Sequence, residues 1–374
     1  MKSTIITFLF AILFSSITIG QERTSVYKIP DLLKIKRNVL YLDDFIKNPE
    51  FIPLETKNEC LIDMVLQIDA DSQKIYILDR RKNIFIFSSN GLFLKKISPE
   101  GKGPGQFVQT VGGFVLFSEI KRICIFDDLQ RKLLIYNSDG VFLREMKISI
   151  PVQRISKIGN STLLFFSDGS FSNKLYHELS FFDISRMQFS GEFKIFSPIQ
   201  RSGAQMYLRP GFTTFRDEAL LSIPFNDTVY RITSDNVLPS FIFKLGPSGI
   251  PKEIFNDLQR MEKSMENYVY FYPPTETQSF LFLAIIDHGK KLYSVLNKFS
   301  GVWKIAEMDD SSEIGLVYRN KSKTVLPMHP CSNDLFYSTI YAHIFVEQFA
   351  SEFPSLVKKI KADDNPILIR ARLK

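Results

Sequence analysis

Apolar and polar positions in this chain interchange over short spans, and one arrangement of them occurs twice in succession. From Lys74 the sequence reads KIYILDRRKNIFIFSSNGLFLKKI, and from Arg122 it reads RICIFDDLQRKLLIYNSDGVFLREMKI. Each copy opens with an apolar run ending in Asp (Asp79, Asp127) and continues through a basic turn. A second run then closes on an aromatic (Phe87, Tyr136), and a hairpin turn follows (Asn90-Gly91, Asp139-Gly140). A third run leaves the turn, Leu92 to Ile97 and Val141 to Ile148. Short runs rich in Ile, Phe and Tyr between such turns predict β-strands, and Asn-Gly or Asp-Gly between them predicts hairpins. The two Asp residues stand 48 positions apart, inside the roughly 40 to 50 residue period of propeller blades.

Extending the rhythm gives an all-β chain, a six-bladed β-propeller with short helical insertions. The first blade runs over about Leu61 to Ile97 and the second follows around Arg122 to Ile148. The others are expected at Val152 to Ile195, Phe212 to Gly246, Ser279 to Met308, and a last one assembled from Thr324 to Lys374. Residues 21 to 53 read as a lead-in that contributes a strand. Pairing that strand with the final blade would close the ring and remove exposed sheet edges.

Two stretches break the strand rhythm. Over about 251–270, Ile254, Leu258, Met261 and Met265 fall on one helical stripe, with Pro251 suited to a first turn. Over about 343–361, Ile344, Phe349, Leu356 and Ile360 suggest one helix or two, divided at Pro354. The first insertion ends in Tyr268-Val269-Tyr270-Phe271-Tyr272-Pro273-Pro274, an aromatic lip. Extended backbone sends alternate residues to one side, so Tyr268, Tyr270 and Tyr272 are expected to point together as ligand-binding residues. Their rings and hydroxyls suit sugars and peptides at a wet rim.

The order KIYILD, FSSNGLFLKKI and GKGPGQF, with FIPLET upstream, resembles NHL-type repeats and the six-bladed β-propeller family of exported bacterial proteins. NDTVYRI at Asn226 to Ile232, the Phe241 to Gly246 strand with Pro251 after it, and the ending DDNPILIRARLK are similar to that family too. The resemblance implies architecture and export rather than chemistry. Asp63 departs from the pattern, standing where such a blade opens with a small residue.

Composition narrows the function. With 35 Phe and 14 Tyr against one Trp, the aromatic content suits half-buried pleated surfaces. The net charge of +7 comes from 47 basic residues scattered among 40 acidic ones, with no basic block interleaved with aromatics, so no nucleic acid partner is expected. Residues 1 to 20 read as a cleaved export signal: Lys2, then the apolar Ile5 to Phe14, then small or tolerated residues before Gln21. That places residues 21 to 374 in the periplasm or outside the cell as one propeller domain, with no membrane span in the mature chain.

Candidate chemistry is sparse. Cys60, Cys124 and Cys331 are far apart and odd in number, a poor disulfide framework, and Cys124 sits in an apolar strand as a small core residue. His177, His288, His329 and His343 share no ligand spacing and each reads as a surface or rim residue. Asp79 and Asp127, at equivalent blade positions, read as structural acceptors for turn amides. GKGPGQF reads as a structural crossing between blades, since the helix, Lys and Ser/Thr of a phosphate loop are missing. No GxSxG elbow occurs. No catalytic residue, metal ligand or cofactor is assigned. The expected function is a non-enzymatic exported propeller holding a peptide, glycan or protein partner at its loop face. The second class is a metal-dependent hydrolase or lyase with its site at the propeller axis.

Overall fold

The structure is a computed structural model that describes residues 24–99, 101–110, 112–167, 176–196, 211–224, 226–251, 254, 258–308, 315–318, 325–327, 329–330 and 335–374. Its described residues are mostly β, arranged as six blades of a propeller with a few short helices. The export signal over residues 1 to 20, along with Cys331, lies outside the described residues.

Blade 1 runs outward through Val65–Ala70, Lys74–Asp79, Ile84–Ser88 and Phe93–Ile97, and blade 2 through Phe114–Phe117, Arg122–Asp127, Lys132–Asn137 and Phe142–Lys147. Blade 3 uses Arg154–Ile158, Thr162–Ser167, Tyr176–Asp183 and Gln188–Phe196. Blade 4 uses Gly211–Phe215, Glu218–Ser222, Thr228–Ile232 and Val237–Lys244. In blade 5, Val269–Phe271 and Thr275–Glu276 pair in turn with Phe280–Asp287, which is followed by Lys290–Asn297 and Trp303–Glu307. Blade 6 has His329–Pro330, Leu335–Ile340 and Ile367–Leu373. Around the axis, first strands touch between blades 2 and 3, 3 and 4, 4 and 5, and 6 and 1.

The period-2 alternation of a strand explains why the second and third strands are apolar on both faces. Tyr76 and Leu78 face blade 2, joining Phe114, Leu116 and Ile123 in one core, while Ile75 and Ile77 face blade 6, joining Tyr337 and Leu368 in another. The same division recurs at each junction. Separate apolar cores lie between blades 1 and 2, 2 and 3, 3 and 4, 4 and 5, 5 and 6, and 6 and 1. Each fully buried Leu, Ile or Phe contributes roughly 1.5–3 kcal/mol relative to an exposed one, so these junctions hold the ring.

Closure uses the lead-in. Ile46–Pro53 pairs antiparallel with Ile367–Leu373 as the outermost strand of blade 6. Asn365 fixes the seam. Its Oδ1 accepts the Ile62 N–H at 2.9 Å, its Nδ2 donates to the Glu55 and Cys60 carbonyls at 2.8 Å each, and its own N–H donates to Thr56 Oγ1 at 2.9 Å. The lead-in supplies more than the one strand that the sequence suggested. Ser25–Lys28 lies parallel to Val237–Lys244 as a fifth strand of blade 4, and the Asn38 N–H then donates to the Ile305 carbonyl of blade 5 at 2.8 Å. Residues 25 to 53 thus run as a belt around the outer rim of blades 4, 5 and 6.

Blade 5 also differs from expectation at its inner edge. Val269–Phe271, within the Tyr268 to Pro274 stretch read from sequence as the tail of an insertion, is the first piece of the strand nearest the axis and Thr275–Glu276 is the second, so the blade begins about ten residues earlier. Of the helical stripe, Leu258–Ser264 is α-helix and Met265–Asn267 continues as a 3-10 turn. In the later insertion, Ala342–Phe349 and Pro354–Val357 form two helices that divide at Phe353-Pro354.

Candidate ligand-binding face

Antiparallel strands alternate in direction, so the connections fall on two faces of the disc. One face carries the crossings between blades and the turns between second and third strands, including the helices Leu258–Ser264, Ala342–Phe349 and Pro354–Val357. We call it the loop face. Opposite it lie the shorter turns between first and second and between third and fourth strands.

The repeated Asp residues build the loop-face turns. Asp79 accepts the Asn83 N–H at 2.8 Å and the Asn83 side-chain amide at 3.0 Å. Asp127 accepts the Gln130 N–H at 3.1 Å and reaches across to take the Val108 N–H at 2.6 Å. GKGPGQF is pinned as a crossing: Lys132 Nζ donates to the Gly103 carbonyl at 3.1 Å, Tyr136 Oη to the Gly105 carbonyl at 2.7 Å, and the Gly105 N–H to Glu145 at 2.9 Å. A Cβ on Gly105 would lie 2.7 Å from the Phe142 ring, so the close approach requires glycine.

The three tyrosines enter the disc from this face along the innermost strand of blade 5. Val269 and Phe271 turn into the core between blades 4 and 5, Phe271 lying 5.0 Å from the Phe243 ring. Tyr268 and Tyr270 turn the other way, onto Ile250 and Ile254. Tyr270 and Tyr272 meet edge to face at 6.2 Å, and Tyr272 also touches the core between blades 5 and 6. All three keep part of their surface exposed. Burial pushes the Tyr270 hydroxyl up to about 12, with Tyr272 and Glu266 adding to the effect, and burial raises Tyr272 as well. Both hydroxyls therefore stay neutral, able to donate and to accept. The strand below them is locked to blade 4: Thr213 Oγ1 donates to the Pro274 carbonyl at 2.7 Å, and a Cβ on Gly211 would lie 2.3 Å from Pro273.

Near the other end of the axis, Asp69 stands on the innermost strand of blade 1. Burial pushes its carboxyl up to about 6, against the pull of Lys157 from the innermost strand of blade 3. Its Oδ1 accepts the Ala70 N–H at 2.8 Å. No spacing in the sequence could have paired Asp69 with Lys157, since only convergence of blades brings them near.

The other chemistry-bearing residues are dispersed. His177 is 3% exposed and packs 5.4 Å from the Phe166 ring, so the expectation of a rim position fails there. His288 is exposed and contacts the Asp287 carboxylate at 2.7 Å, and His343 is exposed on a helix. Cys60 and Cys124 are free and buried, and burial raises both thiols. Among the described residues, no three His, Cys, Asp or Glu side chains gather as metal ligands. No helix among them is long and apolar enough to cross a membrane.

A family model described as Domain of unknown function (DUF4934) matches residues 28–372. No curated protein matches the chain. Among solved structures, a Bacteroides fragilis protein described as exported superimposes with a TM-score of 0.69 at 19% identity, covering 94% of this chain and 100% of that one. A member of the DUF4221 family from Bacteroides vulgatus superimposes with a TM-score of 0.52 at 12% identity, covering 91% and 99%. At such identities the likeness is one of fold.

Proposed function

The chain belongs to the DUF4934 family, and from that premise, which carries no stated activity, we propose that the protein is an exported, non-enzymatic propeller. In this reading residues 1 to 20 are removed, residues 21 to 374 act as one propeller unit, and the loop face holds a peptide, glycan or protein partner. The observation that carries it is the position of Tyr270 on the innermost strand of blade 5 with Tyr268 and Tyr272 flanking it, all three partly exposed where that strand leaves the loop face. Neutral hydroxyls beside ring faces suit ligands that offer both hydroxyl or amide groups and flat apolar surface. The likeness in fold to a protein described as exported supports the compartment, and the NHL-like order of blades 1 and 2 supports a repeat-built platform.

The test replaces Tyr268, Tyr270 and Tyr272 with alanine and compares the variant with wild type on peptide and glycan arrays and in a thermal melt. The expected result is loss of array hits, at least tenfold in affinity, with a melting temperature close to wild type. A variant that binds every hit as wild type does places the functional surface elsewhere. One that melts far lower makes the tyrosines packing residues.

A further inference from the structure

On the face opposite the tyrosines, a cleft of about 510 Å³ opens where blade 5 meets blade 6 and the belt. Its floor is apolar: Phe45 of the belt and Phe280 of blade 5 meet edge to face at 5.3 Å, with Val295 beside them. Its rim comes from the turn between the third and fourth strands of blade 5. In blades 1 and 2 that turn holds residues 89–92 and 138–141, while in blade 5 it holds 298–302, one residue more. All three turns keep a glycine at positive φ, Gly91 (+91°), Gly140 (+74°) and Gly301 (+69°), so the corner is conformationally alike and the added residue widens it. Phe299 stands in that wider corner with 76% of its surface exposed, and Val302 beside it is also exposed.

Two donors of the lining, on Asn297 and Lys304, have no partner among the described residues. Asn297 spends its Oδ1 on the Phe299 and Ser300 N–H groups, at 3.0 Å each, which aligns the turn and leaves its Nδ2 without a partner among the described residues. Lys304 is exposed and makes no ion pair among the described residues. Lys374 lies on the facing wall, its Nζ donating to the Asp43 carbonyl at 2.6 Å. Asp44 is the single side-chain carboxylate of the lining, and the α-carboxylate of Lys374 lies on the same wall as its ammonium, so Lys304 is the cation left over.

We propose that this cleft binds a small carboxylate with an aromatic or alkyl body, the body on Phe45, Phe280 and Phe299 and the carboxylate on Lys304 and Asn297. The volume is that of small-molecule pockets, which are concave, mostly apolar and fixed by a few polar groups. An exposed phenyl ring and an unpaired ammonium group lining one cleft suit a ligand that is apolar at one end and anionic at the other. The site is separate from the tyrosine face and stands whether or not that face binds anything.

Calorimetric titration with 4-phenylbutanoate and with the uncharged 4-phenylbutan-1-ol tests it. Wild type is expected to bind the acid saturably and the alcohol at least tenfold more weakly. Lys304→Gln should weaken the acid about tenfold and leave the alcohol unchanged. Phe299→Ala should weaken both, and both variants should melt as wild type because these side chains are exposed. The triple tyrosine variant should bind the acid as wild type does. No saturable binding of the acid by wild type, equal binding of acid and alcohol, or full acid binding by Lys304→Gln or Phe299→Ala would each overturn the proposal.

Discussion

Between blades 1 and 2 the joint is local and complete, whereas between blades 5 and 6 it is assembled from distant pieces. At the first, Gln67 of blade 1 places its side-chain amide against the Phe114 backbone of blade 2, donating from Nε2 at 2.8 Å and accepting at Oε1 from the N–H at 3.2 Å. Each blade supplies its own strands, and GKGPGQF fills the crossing. At the second, the core draws Leu40, Leu42 and Phe45 from the belt and Phe345 and Phe349 from a helix, and the last strand of blade 6 is Ile46–Pro53. At the first joint the repeats supply all their own strands. Where strands are borrowed, other segments fill the space imperfectly and the cleft remains.

The comparison breaks first if the distant pieces prove dispensable. Deleting residues 367–374 removes the third strand of blade 6 and the partner of Ile46–Pro53. The expected product is insoluble or rapidly digested by protease, with no cooperative melt, and a stable truncation would show that the ring does not depend on this seam. Next, Asn365→Ala strands the Ile62 N–H and two carbonyls in a buried position, which should cost about 3 kcal/mol in urea titration. The matching change at the regular joint, Gln67→Ala, breaks two bonds and should cost about 1–2 kcal/mol. Equal losses would erase the distinction. Gly91→Ala sharpens it further, because a Cβ there would sit 2.2 Å from the Pro53 carbonyl at φ +91°, with an expected loss of about 2 kcal/mol.

The smallest effect is one of pH. Asp69 has its carboxyl raised from 3.8 to about 6 in the folded chain, so the folded state holds this proton more tightly than the unfolded one. That contribution is fully present below pH 3.8 and is lost as pH rises through about 6. Wild type should therefore lose about 1 kcal/mol relative to Asp69→Asn between pH 4 and pH 7, a figure reduced for partial exposure. Urea titrations at both pH values check it, and parallel behaviour of the two proteins would show that Asp69 is ordinarily solvated.

How legible each region was follows the same division. KIYILD and RICIFD could be read because their partners lie within a few residues, and the Asn90-Gly91 and Asp139-Gly140 turns mark the next pairing outward. Ser25–Lys28 could not be assigned, since its parallel partner stands more than two hundred residues away and no turn connects them. The inner strand of blade 5 was hidden by a helical stripe before it and by Pro273-Pro274, which split it into two short pieces. Even so, the alternation of Tyr268, Tyr270 and Tyr272 against Val269 and Phe271 was visible, because side-chain period is a local property. The cleft left one trace, the extra residue that brings Phe299 into an otherwise repeated corner.

The belt also sets a timetable. A chain made from its N-terminus presents Ser25–Lys28 and Ile46–Pro53 first, yet their partners are Val237–Lys244 and Ile367–Leu373. These two strands are thus made early and seated late, the second only once residues 367–373 have been made. Until then Ile46–Pro53 lacks its partner strand, and the ring fastens only when Ile367–Leu373 arrives.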